Sequence, residues 1–286
     1  GAEAMAKAGI KTLDTLVSKE GLGLTNGTCA MTSVGTLAWY DSFCAAQLAD
    51  VIGSMTLEAL TGLLNAYDER VHLVRGHKGQ LQVAKNFRLL TEGSEILSNC
   101  QNDRVQDAYS LRCIPQVHGA IRDALDYVKD KIEIELNAVT DNPLLFPDDE
   151  AVISGGNFHG EPMALAFDFM GIACSEIADI SERRTERMVN AALSNGLTPF
   201  LTTEGGVNSG YMIVQYSAAS MVSENKVLLT FSGVTLGESA QLVSLLEQSP
   251  LVTGASVDTA VSREEDQGLS EVHVYFEINM EKEVQP

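Results

Sequence analysis

The stretch from Pro115 to Val139 constrains the fold of this chain more than any other. Val117, Ile121, Ala124, Leu125, Val128, Ile132, Leu136 and Val139 recur at steps of three and four, which predicts a helix with one nearly continuous apolar stripe. Lys129, Lys131, Glu133 and Glu135 fall between the stripe positions, and Asp141, Asn142 and Pro143 stop the pattern. A stripe of that length needs equally long neighbours, so the helix belongs in a bundle. A second helix is predicted from Pro162, with Met163, Phe167, Met170, Cys174, Ile177 and Ile180 at helical spacing before Gly196.

A third candidate starts at Gly210, "GYMIVQYSAASMVSENKVLL", and is apolar or small on nearly all sides, as an interior helix would be. Residues 28–66 are also small-rich and largely apolar, with Asp41 and Asp50 as rare interruptions, and predict one or two buried helices. Turn-rich links are expected at 21–28, 68–80 and 140–162. Only the last segment breaks the helical pattern. "EVHVYFEINMEKEVQP" alternates apolar and charged residues from Val272 to Ile278 at the period of a strand. The expected fold is therefore all-α, a bundle of long central helices, with a short strand-like C-terminal tail.

The formal charge of −20, without a block of Lys or Arg, excludes attraction to nucleic-acid backbones or anionic membranes. No apolar run is long enough to span a bilayer, and a soluble cytoplasmic protein is expected. Five cysteines without CxxC spacing read as reduced thiols. His72 and His77 are five apart, which does not stack them on one helical face, so no metal is expected. The chain opens "GAEAMAKAGIKTL" without an initiator Met, as a fragment entered in mid-domain would.

Two constellations carry chemistry. In "VQDAYSLRCIPQV", Gln106, Tyr109 and Arg112 are three apart, and on a helix they would span roughly 120° of one face. A guanidinium fork suits a carboxylate, and a phenol beside it can donate a hydrogen bond or exchange a proton. Pro115 biases Ile114 towards extended geometry, which would end this turn ahead of the long helix. In "SGGNFHGEP", Gly155, Gly156 and Gly160 permit positive φ and lead into a helix N-terminus. His159 in that turn is read as structural, and Asn26 in "TNGT" needs no more than a turn.

Together "KEGLGLTNGT", "VQDAYSLRCIPQVHGA", "NAVTDNPLLF", "ISGGNFHGEPMALAFDF", "SERR" and "NSGYMIVQYSAASMVSENK" resemble the ammonia-lyases that use a methylidene-imidazolone electrophile, the histidine enzymes most closely. The resemblance covers residues 1–228 as an incomplete helical lyase core and leaves 229–286 as a divergent C-terminal segment. It implies the all-α architecture of the aspartase/fumarase-like superfamily and a homotetramer whose active sites draw on three chains. It also implies conversion of L-histidine to trans-urocanate and ammonia. By the same resemblance Tyr109, Phe158 and Glu265 are catalytic, and Asn26, Gln106 and Arg112 bind substrate.

The electrophile of that family is made from an Ala-Ser-Gly tripeptide, which this chain does not contain. The chain is therefore expected to act only with a missing N-terminal region. Two alternatives stand beside this reading. One is a tyrosine or phenylalanine lyase or aminomutase of the same chemistry; the other is a non-catalytic helical assembly module.

Overall fold

A computed structural model describes residues 1–12, 15–101, 104–231, 252–261 and 271–278, with 226–231 and the last two stretches given by their backbone. By its contacts the chain divides into two units, Gly1–Lys226 and Val227–Pro286.

In the first unit the helices are α1 (Ala2–Lys7), α2 (Glu20–Thr25), α3 (Cys29–Ala59), α4 (Glu69–Leu73), α5 (Lys78–Leu90), α6 (Glu95–Cys100), α7 (Tyr109–Arg112) and α8 (Ile114–Glu135). A short hairpin follows, β1 (Leu144–Phe146) with β2 (Ala151–Ile153), and then α9 (Glu161–Val189). Helix α10 (Met212–Phe231) begins in this unit and runs past its end. In the second unit β3 (Val252–Val261) pairs antiparallel with β4 (Glu271–Ile278), Ala255 opposite Phe276 and Val257 opposite Val274.

Helices α3, α8 and α9 form the bundle. Ile121, Ala124, Leu125, Val128 and Ile132 of α8 meet Met163, Ala166, Met170 and Ala173 of α9 and Ala46 of α3 in one buried cluster. These are the stripes read from sequence, and burying them supplies the main packing energy, about 1.5–3 kcal/mol for each large side chain. A second cluster joins Leu57, Leu60, Tyr67, Val83, Phe87, Leu111 and Ile114 to Ile180 of α9. Helix α5 crosses α8 with the two backbones touching: a Cβ on Gly79 would lie 2.1 Å from the Gly119 carbonyl oxygen. Only glycine allows that approach.

Several expectations are corrected. Helix α8 stops at Glu135, and Leu136 and Val139 are exposed. The chain needs the following turn to reach Thr140 and the hairpin, so the stripe outlasts the helix. Residues 28–66 give a single long helix, buried along one face only; Val34, Leu37, Tyr40 and Met55 face solvent. Helix α10 is not interior within this unit. Ile213, Val214, Tyr216 and Met221 are exposed and only Val222 is buried among its described side chains, because few of the described elements pack against it. The link at 21–28 contains α2, and 68–80 contains α4 and the start of α5.

Candidate active site

The predicted site residues fall at opposite ends of the α8–α9 pair. Helix α8 has 22 residues and is therefore roughly 33 Å long. At its start, His118 lies 3.5 Å from Arg184, near the C-terminal end of α9. At its finish, Glu135 accepts a 2.5 Å hydrogen bond from the Thr28 hydroxyl, and Thr28 also packs beside Gly160, the residue that caps the N-terminus of α9. The two helices therefore run antiparallel, and no single chain brings Tyr109 and Arg112 near Asn26 and Phe158.

At the first end, α7 is a four-residue turn that presents Tyr109, largely exposed, with the Arg112 guanidinium carbon 4.5 Å from its ring centroid. Cation–π attraction holds the pair together. Arg112 Nε is buried and has no hydrogen-bond partner among the described residues. A buried, unpaired charged donor is costly unless an acceptor arrives. Tyr109 and Cys113 border a cavity of about 400 Å³ that Glu176, Asp179, Arg183 and Arg187 of α9 also line. Gln106 is not on this helix: it lies exposed in the stretch before α7, so the shared helical face expected for the three residues is not formed. Ile114 is not extended either. It is the first residue of α8, with Pro115 at the second position, and the break falls one residue earlier, at Cys113.

The turn is held from beneath. Arg104 Nη2 donates to the Thr61 carbonyl at 2.7 Å, and Asp107 accepts from the Leu63 amide at 2.6 Å and from Arg104 Nε at 2.7 Å. The fully buried Tyr67 hydroxyl donates to the Leu111 carbonyl at 2.7 Å, while its ring stacks on Phe87. Burial pushes the Tyr67 phenol well above its ordinary range, so it stays a donor.

Below α7 lies a polar network that sequence reading registered only as an interruption. Asp50 of α3 accepts from His118 Nδ1 at 2.8 Å, from Arg122 at 2.7 Å and from Asn86 of α5 at 2.8 Å. Burial alone would raise the Asp50 carboxyl, but the bonds from His118 and Asn86 and the Arg122 charge hold it below its ordinary value. Burial pushes His118 down and so favours its neutral form, with Asp50 opposing the shift. Burial likewise pulls the Arg184 guanidinium down to about 10.

At the second end Asn26 closes α2 and is exposed, and Phe158 is 48% exposed. Gly27 has φ +75°, and a Cβ there would lie 1.9 Å from the Thr140 carbonyl oxygen, so the turn requires glycine. Asn142 Oδ1 accepts from the Gly155 amide at 2.8 Å and from the Ser154 hydroxyl at 3.0 Å, tying the 154–160 turn to the same segment. Gly155, Gly156 and Gly160 do not use the positive φ open to them; Gly160 has φ −82° and packs on Met31, a close approach that glycine permits. His159 Nδ1 accepts from the Glu161 amide at 3.2 Å, a local structural role. Glu265 lies outside the described residues. Among the described residues no cluster of His, Cys, Asp and Glu could hold a metal ion, and no helix is long and apolar enough to cross a membrane.

Comparison with known proteins agrees with this architecture. Residues 1–235 match the family model described as aromatic amino acid lyase. A histidine ammonia-lyase of Fusobacterium nucleatum is 59% identical over 226 residues, 79% of this chain and 44% of that protein. One of Caldanaerobacter subterraneus is 61% identical over 228 residues, 80% of this chain and 44% of that protein. The crystal structure of histidine ammonia-lyase from Trypanosoma cruzi superposes with a TM-score of 0.67 at 43% identity, covering 80% of this chain and 42% of that one. Tyrosine aminomutase from Streptomyces globisporus superposes at 0.70 with 35% identity, covering 84% and 50%. The chain thus spans less than half the length of the curated relatives it matches. On the strength of the family match and these identities, the chain belongs to the aromatic amino acid lyase family.

Proposed function

We propose that this chain is the substrate-carboxylate half of a histidine ammonia-lyase, removing ammonia from L-histidine to give trans-urocanate when assembled with a region that carries Ala-Ser-Gly. The observation that carries the reading is Arg112: a guanidinium with a buried, unpartnered Nε, stacked on a Tyr109 that itself lines a 400 Å³ cavity, suits a planar carboxylate. Gln106, in the adjoining stretch, adds an amide to the same end. Tyr109, with its ring on the guanidinium, offers its hydroxyl to donate or exchange a proton at the substrate.

The family's protein-derived methylidene-imidazolone would supply an electron-poor carbon for the substrate's amine. Asn26 and Phe158 fit beside such a group. Both sit at the second end with solvent-facing side chains, on a turn braced by Gly27, Thr140 and Asn142, and among the described residues Phe158 stays half exposed. Glu265 would favour an imidazole side chain over a phenyl ring.

The separation of the two ends supports a cytoplasmic homotetramer in which each active site takes Arg112 from one chain and Phe158 from another. The exposed apolar faces of α3 and α10 support the same assembly, since monomers seldom leave such surface uncovered. Within it, residues 1–228 form the lyase core and 229–286 a divergent appendage.

The test is Arg112→Ala in the assembled enzyme. A lost charge-assisted carboxylate contact predicts roughly a hundredfold fall in kcat/KM for L-histidine, mostly in KM. Turnover near the parent's would refute the role of Arg112. Products assign the chemistry: urocanate supports the histidine reading, cinnamate or coumarate alone assigns the aromatic alternative, and no turnover by an assembly carrying the electrophile assigns the non-catalytic module.

A further inference from the structure

Pro115 has a consequence for the turn before it. In a continuous helix the amide of residue 115 would donate to the carbonyl of Leu111, four residues back, but proline has no N–H to give. The Leu111 carbonyl, between Tyr109 and Arg112 in the chain and buried with its side chain, therefore lacks the amide four residues on; the backbone donor that faces it is the Cys113 amide, whose 2.9 Å bond goes to the Tyr109 carbonyl. The Tyr67 hydroxyl fills that vacancy at 2.7 Å, from a side chain that is itself fully buried. Its ring cannot move aside, because it stacks on Phe87 at 4.7 Å and 8° and Arg88 Nη1 holds its own carbonyl at 2.9 Å.

We propose that Tyr67 is a positioning residue for the carboxylate-binding turn: by replacing the amide that Pro115 lacks, it fixes the orientation in which α7 offers Tyr109 and Arg112. A four-residue helix cannot fix its own direction, since its nucleation cost exceeds what one turn of hydrogen bonds returns. The orientation has to come from outside, and it comes from the 61–67 segment. Arg104 on Thr61 and Asp107 on Leu63 hold the entrance to α7, while Tyr67 on Leu111 holds its exit. The motif reads accordingly in two sets. Arg104, Asp107 and Leu111 turn inward as anchors, and Gln106, Tyr109 and Arg112 are left for chemistry.

The catalytic half of this inference rests on the proposed lyase function; the structural half does not, and the test separates them. Tyr67→Phe, which removes one oxygen, is compared with the parent in the assembled enzyme by steady-state kinetics and by amide hydrogen exchange over residues 108–113. The expected result is a roughly tenfold rise in KM for L-histidine with kcat per assembled site within twofold, and exchange at least tenfold faster in α7 but unchanged in α9. A merely structural loss would lower the yield of assembled enzyme and leave KM per site untouched. Unchanged KM with unchanged exchange overturns the proposal. If the parent turns over no amino acid, the lyase reading fails while the exchange data still decide whether Tyr67 holds the turn. Should Tyr67→Phe not assemble, Asp107→Asn weakens the entrance anchor and is read by the same two measurements with the same expected and contrary results.

Discussion

The two ends of the α8–α9 pair solve the same task, displaying a polar side chain beside a cavity or solvent, by different means. At the α7 end the display is held by buried side chains, Tyr67 and Asp107, and the helices beside it are joined by the Asp50 network. At the Asn26 end it is held by backbone shape, with Gly27 at positive φ against Thr140 and Asn142 bridging to the 154–160 turn. One end depends on the chemistry of side chains and the other on the absence of one. The contrast explains why substitutions should fail differently at the two ends.

The largest effect is expected from Asp50→Ala. It leaves the buried His118 and the half-buried Arg122 without the carboxylate they share, and removal of one partner from such a cluster costs about 3–5 kcal/mol. Denaturant unfolding should show that loss; a change below about 1 kcal/mol would mean that water enters and replaces the carboxylate.

Gly27→Ala should come next, at about 1–3 kcal/mol, from positive φ and a Cβ placed on a backbone oxygen that cannot step aside. Its signature differs: the loss should be accompanied by faster amide exchange at 26–28 and 154–160, with α7 unaffected. Equal disturbance at both ends would erase the distinction between them.

The smallest effect is in pH. His118 is pushed down by burial, so the unfolded chain binds a proton that the folded one resists; stability is complete above the ordinary His range near pH 6.5 and falls as pH drops below it. Asp50, held low, adds a loss only at much lower pH. Thermal midpoints should therefore fall between pH 7 and pH 5.5, and the slope should flatten in His118→Gln. The same slope in both proteins would remove His118 as its source.

The contrast also marks what the sequence made legible. The stripes of α8 and α9 are long and regular, so the bundle and its main core could be read directly, except that Leu136 and Val139 continue a pattern the backbone does not. Asp50 stood out as a charge in an apolar run, and its partner was in view, because His118 interrupts the α8 stripe between Ile114 and Ile121. That pairing of a buried acid with an interrupting histidine was the missed signal. Tyr67 gave none: it lies between the helical stretch read over 28–66 and the link read over 68–80, and its role exists only because Pro115 removes an amide 48 residues later. Arg112 and Tyr109 were legible as a pair, but Gln106 was read onto their helical face and lies outside the helix, since propensity does not tell where a four-residue turn begins. The opposite locations of Arg112 and Phe158 follow from the antiparallel packing of α8 and α9, which spacing alone does not reveal.

That separation is the central claim, and mixing variants tests it most directly. Arg112→Ala and Phe158→Ala are each prepared in the assembled enzyme and assayed at histidine well below the parent's KM, where each alone should retain only a small fraction of the parent's turnover. They are then unfolded together and reassembled. If each active site joins the α7 end of one chain to the Asn26 end of another, some sites in the mixture receive both intact residues. Histidine turnover should then rise well above that of either variant treated alone. If activity in the mixture stays at the sum of the two separate variants, both residues serve the site from one chain, and the active site is not divided between the two ends.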